Sequence, residues 1–364
     1  MAVLSEHVPD FTNSRSMKIS KISVILLFLA FLYGCGEQDG VFAGKSRYGL
    51  EFKQECRFPA GNPLLQLSGG SSVQIIDTLL LVQHQYENPS FYWEVYGLNS
   101  LQHLKSILRH GRGPLEVLFA HYAGQHEMID NENWMFFFDA NSARFLKINL
   151  NRSIRSGIDD IELVSSVDAE KIPCFALSDD LLLYRDYNPD DGSVNLMKSD
   201  NSWKTPILVK NIYKHITSDD YGKLAHSLYY NKKNRKVCVV PCYVDQIQII
   251  DLEGKDDMIL STAKSNDWQT IRRQDFSEST VFYASTRITD DYLFALYANR
   301  KIAEMGNIPD EVEIHVFNWD GDAVAKLRFE DNITSFAVDM KNRVLYGVDD
   351  SERLYAYDFG SAIE

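Results

Sequence analysis

The 364-residue chain carries 51 Asp and Glu against 37 Lys and Arg, a formal charge of −14. Its 45% hydrophobic and 12% aromatic content supports a sizeable core and excludes a globally disordered chain. The acidity is spread along the length with no basic stripe, which argues against a nucleic acid as partner.

Near the start, "MKISKISVILLFLAFLYGC" (residues 17–35) places Lys18 and Lys21 before an apolar run that ends on Gly34 and Cys35. A basic region, an apolar core and then small residues is the layout of a secretory signal. The run is shorter than the roughly 20 apolar residues that span a bilayer. The order Leu32, Tyr33, Gly34, Cys35 resembles a bacterial lipobox, although Tyr33 is bulkier than usual there. That resemblance implies that residues 17–34 are a signal peptide and that Cys35 becomes a lipidated first residue. Glu6 and Asp10 do not suit an export signal, so translation is expected to begin at Met17, leaving residues 1–16 outside the protein proper. Residues 35–47 are polar and glycine-bearing, and read as a flexible tether. Glu37 and Asp39 resemble sorting signals for the outer membrane or cell surface.

The 364 residues less the first 35 leave 329, enough for one large domain or two ordinary ones. Four cysteines remain: Cys56, Cys174, Cys238 and Cys242. In a strand, Cys238 and Cys242 stand roughly 13 Å apart, too far for a mutual disulfide. The four read mainly as apolar fillers, with an oxidised pair between distant segments left open for an exported chain. No Cys/His spacing resembles a zinc site.

From there on, short runs rich in Val, Ile, Leu, Phe and Tyr alternate with polar clusters, and long helical periodicity is nearly absent. Hairpins recur. "VQIIDTLLLVQ" turns at Asp77, "EMIDNENWMFFFD" at Asn131, and "CFALSDDLLLYRD" at Asp179. "LYYNKKNRKVCVV" turns at Lys233, "STRITDDYLFALY" at Asp290, and "FAVDMKNRVLYGVDD" at Lys341. Successive turns are 48 to 57 residues apart, and each hairpin is followed by a third strand and usually a fourth. Four strands repeated at about fifty residues predict an all-β, six-bladed β-propeller of antiparallel blades over residues 48–364. After the sixth hairpin only "RLYAYDF" remains as a strand, so the last blade lacks one. The strand-like "YGLEFKQECRF" (residues 48–58) is expected to fill that place and close the ring.

"RHGRGPLEV" (residues 109–117) resembles the glycine-rich segment after the first blade of six-bladed, TolB-like propeller lipoproteins of Gram-negative bacteria. Gly111, Gly113, Pro114 and Glu116 match, and Leu115 replaces a glycine. Residues 315–339 resemble the same family's passage from fifth to sixth blade. The resemblance spans residues 45–364 and implies the fold but no assigned chemistry. A phosphate cradle at "GRGP" would need a following helix and a P-loop lysine, and neither pattern is present, so the segment reads as an inter-blade connection.

Residues just before the hairpin turns are expected to line the central tunnel. Gln74, His121, Gln125, His126, His226, Tyr229 and Arg287 form the candidate ligand-binding set at a tunnel mouth; the plain alternative is that they line a water-filled tunnel. No nucleophile motif is present, so no catalytic residue is assigned. The Asp pairs at 179–180, 190–191, 219–220, 256–257, 290–291 and 349–350 mostly fall in turns, where aspartate caps its own backbone. No metal ligand or cofactor is expected. The sequence thus points to a lipid-anchored envelope module that binds a glycan, peptide or protein partner. A calcium-assisted lactonase-like or glycan-cleaving propeller is the enzymatic alternative.

Overall fold

The computed structural model describes residues 41–363, except residues 43, 85–89, 168–170, 214–215, 255–256 and 265–267. Cys35 and the rest of residues 1–40 lie outside the described residues. Six small sheets follow one another along the chain, each led by an inner hairpin at its expected turn. Blade one comprises Gly70–Ile76, Leu79–His84, Phe91–Gly97 and His103–Arg109, and blade two Ala120–Ile129, Glu132–Asp139, Arg144–Asn149 and Asp160–Ser166. Blade three comprises Cys174–Ser178, Leu181–Tyr187, Val194–Asp200 and Ile207–Asn211, and blade four opens on His226–Asn231 and Lys236–Pro241. Blade five opens on Thr280–Ile288 and Tyr292–Lys301, and blade six on Ile333–Asp339 and Val344–Asp349.

The second strand of each blade is sandwiched between neighbouring blades, so both of its faces are buried. Such strands read as continuous apolar runs rather than alternations. "ENWMFFFD" (Glu132–Asp139) is buried at every residue but its first. A rim strand keeps the period of two, as in Ala323–Phe329, where every second side chain is buried. The turn chemistry is equally local. Asp130 and Asn131 both take left-handed backbone (φ 52° and 61°), the conformation that a two-residue hairpin matched to strand twist requires.

The core is divided among the seams. Phe136, Phe138 and Phe145 of blade two meet Cys174, Leu182 and Tyr184 of blade three. Val73, Leu80 and Val82 of blade one meet Ala337, Val348 and Leu354 of blade six, so first and last blades are packed together and the ring is closed. The four cysteines are free: Cys174 and Cys238 are buried, Cys56 and Cys242 half-buried.

An N-terminal strand does close the ring, but it is not the one expected. The missing strand of blade six is Leu65–Gln66, antiparallel to Arg353–Asp358. Residues 48–58 instead run along blades four and five, where Gln54–Phe58 is a fifth strand parallel to Ala323–Phe329. Before it, Lys45–Arg47 lies parallel to Met258–Leu260 at the rim of blade four. The segment is therefore a belt around three successive blades, fixed by backbone bonds such as Lys45 N to Asp257 O (3.0 Å), Leu50 N to Ser261 O (3.1 Å) and Leu64 N to Leu354 O (2.7 Å). The tether expected over residues 35–47 accordingly ends earlier. Val41 and Phe42 are buried between blades three and four, and the Phe42 ring stacks on Tyr213 at 5.1 Å.

"GRGP" connects blade one to blade two without a helix behind it. The Glu116 carboxylate folds back to accept the Gly113 N–H at 2.7 Å. A side chain at Gly111 would meet that carboxylate at 2.0 Å, which explains the glycine without any ligand. Among the described residues no helix is long and apolar enough to cross a membrane.

Candidate functional site

The first strands of the six blades face the axis, and at the end carrying the hairpin turns five of them line a cavity of about 450 Å³. Blades one, two, four, five and six line it; blade three does not. The difference lies in the inner strands. In blade two the register advances by four residues, from Tyr122 to His126, while its partner moves by two, from Phe137 to Met135. Two extra residues are thus accommodated in a bulge around Gly124, whose φ of +75° is left-handed. The bulge thrusts into the channel, and a Cβ on Gly124 would lie 3.6 Å from the Tyr229 ring of blade four. Blade three, whose inner strand is only the five residues Cys174–Ser178, stands behind this contact.

Two interactions screen it further. The Gln125 amide binds the backbone of Ala176 twice, accepting its N–H at 2.9 Å and donating to its carbonyl at 2.8 Å. In front, Lys232 of the blade-four turn reaches Glu127 of blade two at 2.7 Å.

Farther from the turns along the inner strands, Tyr122, Tyr229 and Arg287 line the cavity. Arg287 extends from blade five to blade one, donating from Nη2 to Ser72 Oγ and to Val73 O, each at 3.2 Å. Its Nη1 donates to Thr286 O at 2.8 Å, and its guanidinium lies 5.8 Å from the Phe336 ring of blade six. Burial disfavours its charge, but a guanidinium stays protonated. Burial also raises both phenols, so Tyr122 and Tyr229 are neutral hydroxyls. Tyr122 Oη is 3.1 Å from His126 Nδ1. The His126 side chain is exposed within the cavity yet surrounded by protein, and that desolvation lowers its pKa and keeps the ring neutral near pH 7.

Of the expected set, Gln74, Gln125, His126, Tyr229 and Arg287 come together in the cavity wall. The Gln125 amide, however, is committed to Ala176 and to Glu127. His121 is exposed beside Phe119 and does not line the cavity. His226 also lies away from it. It pairs with Pro241 at the far end of its strand, five residues (roughly 16 Å) before the turn-side residue Asn231. Its Nδ1 bonds Leu224 O at 2.7 Å, and burial pushes its pKa down to about 4.

Tyr122, Glu127 and Lys232 were missed. The signal for Tyr122 was Gly124, since a glycine inside a strand often marks a bulge, and a bulge breaks the alternation on which the tunnel assignment rests. Two of the Asp pairs cap turns: Asp349 Oδ1 accepts the N–H of Ser351 and of Arg353, and Asp191 Oδ1 that of Ser193, whereas Asp290 and Asp291 face Lys233 and Asp256 lies outside the described residues. Among the described residues no cluster of three or more His, Cys, Asp or Glu is arranged to hold a metal.

Six blades built on four-stranded sheets around an axial cavity define a six-bladed β-propeller with a polar cup at the hub. The family model described as TolB-like 6-blade propeller-like matches residues 71–341, and the chain belongs to that family. No curated protein matches the sequence. Among solved structures, a member of the DUF4221 family from Bacteroides vulgatus is similar at a TM-score of 0.51 and 14% identity, over 83% of this chain and 96% of that one. The Pan2 WD40 domain of Neurospora crassa (TM-score 0.39, 12% identity, 79% of this chain and 75% of that one) is more distant. So is an oligogalacturonate lyase in complex with manganese (TM-score 0.40, 11% identity, 78% and 72%). These likenesses concern the fold alone.

Proposed function

We propose that this propeller is a lipid-anchored protein of the cell envelope that captures a small polar ligand in its axial cup, without catalysing a reaction. The observation that carries the reading is the cup itself: about 450 Å³, and lined by a cation, two neutral phenols and a neutral imidazole. A cavity of this size with a few convergent polar groups is what a small-ligand site requires. A glycan, a peptide or an exposed segment of an envelope protein are the candidate occupants.

The anchor reading rests on the order of residues 17–35. Six residue steps lead from Cys35 to Val41, which is buried beside blade four. Fully extended they reach about 20 Å. Cys35→Ala should release the protein from membranes or stall its processing; unchanged fractionation and unchanged fatty-acid labelling would refute the anchor. For the cup, glycan and peptide arrays should yield a binder whose affinity falls at least tenfold in the double variant His126→Ala, Tyr229→Ala. Undiminished binding by that variant, with its thermal unfolding intact, would move the site elsewhere.

A further inference from the structure

We infer that the cup recognises the free C-terminal carboxylate of a short peptide, seated on Arg287. The inference rests on the cup being a ligand site and adds which chemistry it takes. Arg287 is a half-buried cation in the cavity wall. Its bonds go to the carbonyls of Thr286 and Val73 and to the Ser72 hydroxyl. Among the described residues no carboxylate pairs with it. Among the described residues its Nε–H has no partner, and that nitrogen is itself shielded from solvent. A buried charge without a counter-ion is costly, and such cost is tolerated where a ligand supplies the missing partner. A carboxylate suits this position because an ionised acceptor forms the strong, short bonds that a guanidinium offers. Tyr122 and Tyr229, both neutral hydroxyls, stand beside it as further donors.

The mouth carries the opposite sign. Of the carboxylates there, Glu127 is neutralised by Lys232 and Asp291 by Lys233, at 2.7 and 2.8 Å. Asp339 is spent on the N–H groups of Lys341 and Asn342. Asp77 and Asp290 remain, against the Lys341 ammonium that also lines the mouth: Asp77 has only long contacts, at 3.4 and 3.5 Å, and Asp290 stands 3.9 Å from Lys233. A site that is positive at its floor and negative at its mouth selects a ligand with an anionic end inward and a cationic or neutral end outward. A peptide with free termini has that polarity. An oligosaccharide bearing several acids does not, because its outer carboxylates would face Asp77 and Asp290.

The test is a titration of the ¹⁵N-labelled protein followed at the Arg287 Nε–H, assigned by its loss in Arg287→Lys. The probes are an equimolar tripeptide mixture with free termini, the same mixture C-terminally amidated, the same mixture N-acetylated, inorganic phosphate, and a neutral trisaccharide. The free tripeptides should shift the Nε–H saturably; amidation should weaken binding at least tenfold and acetylation at least threefold. Arg287→Met should abolish binding. Should that variant not fold, Arg287→Lys, which keeps the charge and loses the fork, should still weaken binding at least fivefold. Phosphate binding more tightly than the free tripeptides would overturn the carboxylate assignment. So would peptides or trisaccharide shifting the Gly124 and Thr289 amides while the Nε–H stays still; in that case the cup remains a ligand site. If no probe perturbs any cup residue, the assignment falls together with the reading of the cup.

Discussion

The hub and the rim of this propeller solve different problems with different residues. At the hub, the inner strands of blades one, two, four and five bring Gln74, His126, Tyr229 and Arg287 around a hollow. At the rim, the segment from Val41 to Leu67 lies on blades four, five and six through backbone ladders and stacked rings, such as Phe58 on Phe329 at 4.9 Å. Among the described residues no fifth strand is added outside the outer strands of blades one to three. The comparison teaches that closure and binding are separable here. Damage to the belt should unfold the ring, whereas damage to the hub should chiefly alter what the ring holds.

The largest effect is expected from deleting residues 41–58. That removes two added strands and the buried Phe42, and bares the edges of blades four and five. A domain stabilised by about 5–15 kcal/mol overall cannot absorb this. Solubility and thermal unfolding should show aggregation or loss of a cooperative transition. A soluble deletion variant with unchanged unfolding would mean that the belt is ornamental.

Gln125→Ala sharpens the comparison from the other side, because Gln125 sits at the hub but acts as a strand partner. Its loss strands the buried N–H and carbonyl of Ala176, at about 1–3 kcal/mol for each unsatisfied group. Denaturant unfolding should register about 2–4 kcal/mol, the cost of a hub residue with a structural role.

Glu313 gives the rim a pH signature. Burial alone would raise its carboxyl, but the His315 Nε2 at 2.5 Å and Lys326 Nζ at 3.0 Å outweigh that and bring it down to about 2. A depressed carboxyl contributes stability that is fully present above the unfolded value near 4.5 and is lost as pH falls toward 2. Glu313→Gln should therefore be less stable at pH 7, by an amount on the order of 2–3 kcal/mol, and should show a flatter decline between pH 4.5 and 2. A parallel shift of the whole pH profile would remove Glu313 from the account.

Smallest of all is Lys232→Ala. Its ion pair with Glu127 is on a half-open surface, so the stability change should stay under about 1 kcal/mol. The cup wall between blades two and four opens nonetheless. Binding at the hub should change with almost no shift in the unfolding midpoint.

Much of the fold was legible because each blade announces itself locally. Polar pairs such as Asp77-Thr78 and Asp130-Asn131 between apolar runs fix the inner turns, and their regular spacing fixes the number of blades. The belt was not legible to the same degree. Gln54–Phe58 reads as a strand, but it has no hairpin partner, and which rim it joins is decided by tertiary packing rather than by its own pattern. The site divides in the same way. Arg287 and Tyr229 follow from their position before a turn, whereas the Tyr122–His126 bulge changes which side chains face the axis and sets His121 aside. His226 was lost for a plainer reason: five residues of strand carry it to the other end of the tunnel.

The separation of hub from rim is most directly tested by hydrogen exchange of the whole protein with and without the binder found on the arrays. Protection should rise in Ala120–Ile129, His226–Asn231 and Thr280–Ile288, and stay unchanged in Lys45–Arg47 and Gln54–Phe58. Protection gained along the belt with none at the inner strands would contradict a ligand site at the hub.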